Sequence, residues 1–158
     1  MKNTPVVLLA YNRPQKLADL IDSLRESAPA KVMVVVDGPK ANKAGDLEKV
    51  RETQRIAHTI NWTDDVVFEF RDTNWGLRSS VENAVTTATE LHGRAIVLED
   101  DARPGPAWIP YAQHMLDKYD TEQKIEHVSG YNLVPPTSLK SPGAGSRLSR
   151  YPESYAWA

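Results

Sequence analysis

Short apolar runs alternate along this chain with stretches whose apolar residues recur at helical spacing, and that alternation limits the fold more than any single motif. "PVVLLA" (5–10), "KVMVVVDG" (31–38) and "RAIVLEDD" (94–101) are rich in Val, Leu and Ile, the pattern of strands covered on both faces. "VVFEFR" (66–71) alternates instead and predicts an edge strand. Between the first two runs, Leu17, Leu20, Ile21 and Leu24 recur at i, i+3, i+4 and i+7, with Asn12 as the expected cap and Pro14 early in the helix. Leu47, Val50, Ala57 and Ile60 mark a weaker second helix. Leu77, Val81, Ala84, Val85, Ala88 and Leu91 define the cleanest amphipathic one, in which Leu91 is expected in the core. Trp108, Ala112, Met115, Leu116 and Tyr119 stripe a fourth, and "IEHVSGYN" (125–132) reads as a fifth strand. Strand–helix alternation without hairpin signals predicts an α/β fold with a doubly wound, mostly parallel sheet, in a single domain over 1–158. Residues 133–150 are rich in Pro, Gly and Ser without apolar period and predict a flexible loop, and "YPESYAWA" at the end is strand-like.

Composition removes several function classes. A length of 158 residues suits one domain, and 41% hydrophobic with 25% charged residues is ordinary for a soluble globular protein. The net charge of −2 gives no global attraction to nucleic acid. No cysteine is present, which excludes disulfides, thiolate metal sites and cysteine nucleophiles. Apolar runs fall far short of the ~20 residues that span a bilayer, and Arg13-Pro14 interrupts any signal-peptide core. The expected setting is cytoplasmic or at the periphery of a membrane.

Ligands of open α/β sheets sit beyond the carboxyl ends of the strands. Each predicted strand here ends in polar chemistry: "AYNRP", "DGP", "RDTNWG" and "EDDARPG". The last holds three consecutive carboxylates, Glu99, Asp100 and Asp101. Neighbouring unit charges at ~5 Å repel by about 3 kcal/mol at an effective dielectric near 20, so the triplet expects a positive partner. On an extended strand Glu99 and Asp101 would share a face and Asp100 would oppose them. Mg2+ and Mn2+ commonly use one or two carboxylates with substrate phosphates completing the shell. The competing explanation is capping of the following helix, which accounts for one acid but poorly for three. No G-x-G-x-x-G follows the first strand and no G-x-x-x-x-G-K-[ST] occurs, so backbone amides are not expected to be the main phosphate cradle.

In this order, "PVVLLAYNRP", "VVVDGP", "NWGLRSSV", "IVLEDDARP" and "SYAWA" resemble the nucleotide-sugar-dependent glycosyltransferases of the GT-A fold. The similarity is to bacterial sugar transferases and to the N-acetylglucosaminyltransferases of N-glycan branching, and it covers nearly all of the chain. The resemblance implies that Asp101 coordinates Mn2+ or Mg2+ on the donor diphosphate. It implies that Asp100 and Glu99 bind ribose and nearby polar groups, and that Asp37 contacts the nucleobase with Arg13 beside it. It also implies that Ala10 and Tyr11 lie along the nucleotide, and that Asn74, Gly76, Leu77 and Arg78 floor the donor pocket. A nucleoside-diphosphate sugar (a UDP-sugar by preference) and a glycan or other hydroxyl acceptor follow as partners, with transfer by inversion. In the family the carboxylate that deprotonates the acceptor comes after the stretch matched by "SYAWA". The general base is therefore expected downstream of Ala158, the domain reads as incomplete at its C-terminus, and this chain alone is expected not to transfer sugar. Binding without transfer, or another metal-dependent nucleotide-phosphate enzyme, are the alternatives. A sheet ending at this point would leave an edge free for a homodimer.

His58, His92, His114 and His127 lack triad or metal spacing and read as structural; Trp62, Trp75 and Trp108 read as packing residues. Tyr151, Tyr155 and Trp157 are expected along an acceptor pocket. Lys140, Arg147 and Arg150 read as solvated loop residues.

Overall fold

The computed structural model describes residues 4–130 and 156–158. The elements are β1 (Val6–Ala10), α1 (Pro14–Leu24), β2 (Val32–Val36), α2 (Asp46–Ala57), β3 (Val66–Phe70), α3 (Leu77–His92), β4 (Ile96–Glu99), α4 (Trp108–Lys118) and β5 (Ala156–Trp157). Among the described residues the sheet runs in the order β3-β2-β1-β4-β5. The first four strands are parallel, with Val6 opposite both Val32 and Ile96, and β5 is antiparallel to β4. This is the mostly parallel, Rossmann-like α/β sheet that the alternation predicts. The chain winds outward from β1 to β3 and then returns through α3 to the other side of β1, so the topological switch lies between β1 and β4.

Side-chain alternation sorts the core into two layers. Val6, Leu8, Val34, Val36, Ile96 and Leu98 face α1, α2 and α4, where Leu17, Leu20, Ile21, Leu24, Val50, Ile109 and Ala112 meet them. Val7, Leu9, Val35 and Val97 face α3 through Ala84 and Ala88. α3 covers only part of its face, and Val67 on the outer strand β3 stays 54% exposed. Pro14 occupies the first turn of α1, where the missing N–H costs nothing. α2 and α3 start after Gly45 and Gly76, both at positive φ. No helix among the described residues is long and apolar enough to cross a membrane.

Four local expectations are corrected. Residues 125–130 form no strand: Ser129 makes one isolated bridge to Trp157, and Val128 and Gly130 bond to Ala158 and Ala156. The terminal strand takes the place beside β4, and Gly130 lies so close to Trp108 that a Cβ there would sit 2.9 Å from the indole. Asn12 does not cap α1; Arg13 holds the cap position without a side-chain bond to the helix end, while the Asn12 amide donates to Asp46. Leu91 is 71% exposed, because the buried line of α3 runs through Ser80, Ala84 and Ala88 and ends a turn earlier. Trp75 is half exposed, lying over the Arg71 guanidinium at 3.8 Å, so it is not a core residue. The predicted loop 133–150, with Lys140, Arg147 and Arg150, lies outside the described residues, as do Tyr151 and Tyr155.

Candidate functional site

A cleft of about 340 Å³ opens at the carboxyl ends of β1, β2 and β4, at the topological switch. Leu9 and Val35 form its floor, α3 contributes Leu77, Ser80 and Val81 as a wall, and Ala10, Tyr11, Arg13, Asp37, Lys40, Asn74, Gly76, Glu99 and Asp100 complete it. Of the eleven residues that the sequence singles out, nine meet here. Arg78 does not: its side chain is 90% exposed and paired with Glu82 one turn along α3. Asp101 stands outside the lining, beside Arg13.

The acid triplet is not laid out as an extended strand would have it. β4 stops at Glu99, and Ala102 N–H bonds back to Glu99 O at 2.9 Å, which turns the chain at Asp100 and Asp101. Both aspartates therefore reach one guanidinium. Arg13 Nε donates to Asp100 Oδ2 at 3.1 Å, Nη2 contacts Asp100 Oδ1, and Nη1 donates to Asp101 Oδ2 at 3.1 Å. Arg103 fastens the turn from behind, donating to Asp100 O and Ala102 O and reaching Asp19 on α1. The triplet's hydrogen-bonded positive partner among the described residues is thus Arg13. Capping plays no part, since α4 begins only at Trp108 and has no side-chain cap.

One arginine does not neutralise three acids. The Glu99 carboxylate makes no hydrogen bond or ion pair among the described residues. Burial first, then the charges of Asp101 and Asp100, push its carboxyl above the usual range, against the pull of Arg13. Asp100 is fully buried, and its burial outweighs the attraction of Arg13, so its carboxyl is also pushed up. Its Oδ1 touches the guanidinium without an aligned hydrogen bond.

Asp37 is buried and saturated. Oδ1 accepts from Gly38 N–H and Trp75 N–H, both at 2.9 Å, while Oδ2 accepts from the Asn74 amide at 2.9 Å and Gly76 N–H at 3.0 Å. A carboxylate has about four acceptor positions, so none is left for a nucleobase N–H in this arrangement. Asp37 holds the 74–76 turn against the end of β2 and so shapes the wall. Gly38 makes this contact possible, since a Cβ there would meet the Thr73 backbone at 2.4 Å.

Asp46 is a residue that sequence reasoning missed. At the first position of α2 it is buried, and it accepts from the Tyr11 hydroxyl, the Asn12 amide and Lys40 N–H, with Lys43 Nζ at 3.1 Å. Burial opposes the charge, but these bonds prevail and hold its carboxyl far below the usual range. Burial and the bond to Asp46 push the Tyr11 hydroxyl up to about 12. The network ties the β1 loop to the β2 loop, and Lys40 and Lys43 stand over the Tyr11 ring at 5.9 and 5.6 Å. The available signal was an acid directly after a glycine at a helix start.

The chemistry suits a divalent cation as a partial site. Asp101 and Glu99 offer hard oxygen donors with uncommitted lone pairs, yet no three His, Asp or Glu side chains among the described residues form a cage. A cation here would need oxygens from its ligand, the arrangement usual for Mg2+ with phosphates.

A second cavity of about 340 Å³ lies before β4, where Arg94, Tyr119, Glu126 and Trp157 line it. Trp157, expected along an acceptor pocket, lies at the end of the sheet opposite the acids, stacked on His127. His58 packs against Phe68 and Phe70, a structural place. Compared with known proteins, the chain matches no protein-family model and no curated sequence.

Proposed function

We propose that the cleft binds a nucleoside-diphosphate sugar with a divalent cation at Asp101, as in GT-A glycosyltransferases that transfer the sugar to a hydroxyl acceptor. The observation that carries this reading is an acid triplet at the topological switch, beside a cleft of about 340 Å³ and held by one guanidinium among the described residues. The excess negative charge favours a cation, and the floor of Leu9 and Val35 offers an apolar surface to a base or sugar ring. When bound, Mn2+ or Mg2+ would offset the charge that develops on a diphosphate leaving group. Arg13 lines the same cleft and orients Asp100 and Asp101. Ala10, Tyr11, Asn74, Gly76 and Leu77 are the remaining contacts of this reading, with UDP the preferred nucleotide.

Calorimetric titration of UDP, GDP and CDP, each with and without Mn2+, tests it. The expected result is binding that tightens with Mn2+ and loses that dependence in Asp101→Asn. Binding indifferent to the metal, or none with any nucleotide, contradicts the reading.

Binding without transfer is the second reading, and a specific observation favours it. Of the carboxylates lining the cleft, Asp37 is saturated and Asp100 is held by Arg13, which leaves Glu99 as the one uncommitted base among the described residues. A transfer assay on the 158-residue chain tests the second reading. Sugar transfer that Glu99→Gln abolishes contradicts it; donor binding without transfer is the outcome it predicts.

A further inference from the structure

Ser80, on the first turns of α3, stands out among the buried polar groups of the cleft. It is 7% exposed, it lines the cleft, and its Oγ has no hydrogen-bond partner among the described residues. Helical Ser and Thr hydroxyls ordinarily bond back to the main chain a turn earlier. Thr53, Thr89 and Ser23 do so here, to Lys49 O, Val85 O and Leu20 O at 2.8, 2.8 and 2.7 Å. Ser80 does not, although its own N–H bonds to Gly76 O. A buried hydroxyl left unpaired costs stability that an alanine would not. The neighbouring helix positions on the same face, Ala84 and Ala88, are indeed alanine.

The Glu99 carboxylate lines the same cleft and is also without a partner among the described residues. One group is an acceptor only, while the other donates and accepts. A ligand hydroxyl satisfies both at once, donating to Glu99 and accepting from Ser80. A phosphate satisfies only Ser80 and meets the repulsion of Glu99.

Resting on the nucleotide-sugar reading above, we propose that Ser80 and Glu99 together receive a sugar hydroxyl of the ligand, from its ribose or from the transferred sugar. Ser80 is then a binding residue for that hydroxyl, at a position the strand-end motifs do not mark.

Titrations of UDP, 2′-deoxy-UDP, 3′-deoxy-UDP and UDP-glucose into wild type and Ser80→Ala, with Mn2+ present, test the proposal, together with thermal unfolding of both proteins. Ser80→Ala is expected to unfold at the same or a higher temperature, since it loses only an unpaired hydroxyl, and to bind the cognate ligand about tenfold more weakly. If the hydroxyl is on ribose, the loss appears with UDP and vanishes with one of the deoxy analogues. If it is on the transferred sugar, UDP binds both proteins equally and only UDP-glucose shows the loss. Equal binding of all four ligands to both proteins overturns the proposal and leaves the nucleotide reading standing. A Ser80→Ala that unfolds at a markedly lower temperature also overturns it, because the hydroxyl then has a structural partner. A wild type that binds none of the ligands removes both.

Discussion

At Asp37 four donors meet two carboxylate oxygens, and all four belong to the chain. Asp37→Asn turns one acceptor into a donor facing another donor, so it should cost about 3 kcal/mol in urea denaturation. It should also weaken UDP, GDP and CDP by the same factor, since the residue shapes the wall; a loss confined to one base would show direct recognition. Glu99 has the opposite character, a carboxylate held where its charge is disfavoured. Its folded pKa is raised above the unfolded value near 4.3, so its favourable contribution exists below that pH and is lost as pH rises through the folded value. At pH 7 the charge opposes folding, and Glu99→Gln should raise the unfolding temperature by up to about 3 °C. The gain should disappear below about pH 4, where wild-type Glu99 is protonated in both states. A lower unfolding temperature at pH 7 would mean that Glu99 has a stabilising partner in the folded protein. Neither residue's state was legible in the sequence: Asp37 before a glycine signals a turn, but the count of its donors depends on a loop 37 residues away.

The elements themselves were far easier to read. β1, β2 and β4 are rich in Val, Leu and Ile because helices cover both faces, and the alternating β3 is indeed an outer strand among the described residues. α1 buries Leu17, Leu20, Ile21 and Leu24 as its period requires. α3 shows where periodicity misleads. Its large residues Leu77 and Leu91 stand at the ends, 70% and 71% exposed, while small Ser80, Ala84 and Ala88 pack closest to the sheet. Hydropathy ranks leucine above serine, whereas close approach of a helix to a sheet favours the smaller side chain. Leu20→Ala should accordingly cost about 2–5 kcal/mol and Leu91→Ala no more than about 0.5 kcal/mol, both measured by urea denaturation. Equal costs would mean that α3 packs a turn further than described. The segment 125–130 departs from the expected strand because Gly130 lies against Trp108 of α4 and Val128 and Gly130 pair with Ala158 and Ala156, which no local period records.

On the scale of the whole molecule, strand order brings together residues distant in sequence. The switch between β1 and β4 sets Arg13 beside Asp100 and Asp101, and the return through α3 places Ser80 in the same cleft as Glu99. Strand-end chemistry pointed to this edge from the sequence alone, but the ion pair that joins its halves required the fold. The two cavities lie at opposite ends of the sheet, have similar volumes and both carry acids, so neither size nor acidity alone chooses between them; the three consecutive carboxylates beside one of them do. Paramagnetic broadening of backbone amide signals by Mn2+ in the presence of UDP locates the cation on the molecule. Signals of residues 11–13 and 99–103 should broaden first, and Asp101→Asn should remove the effect. Broadening centred on Asp120 and Glu126 at the other cavity, or spread evenly over the surface, would contradict a cation site at Asp101.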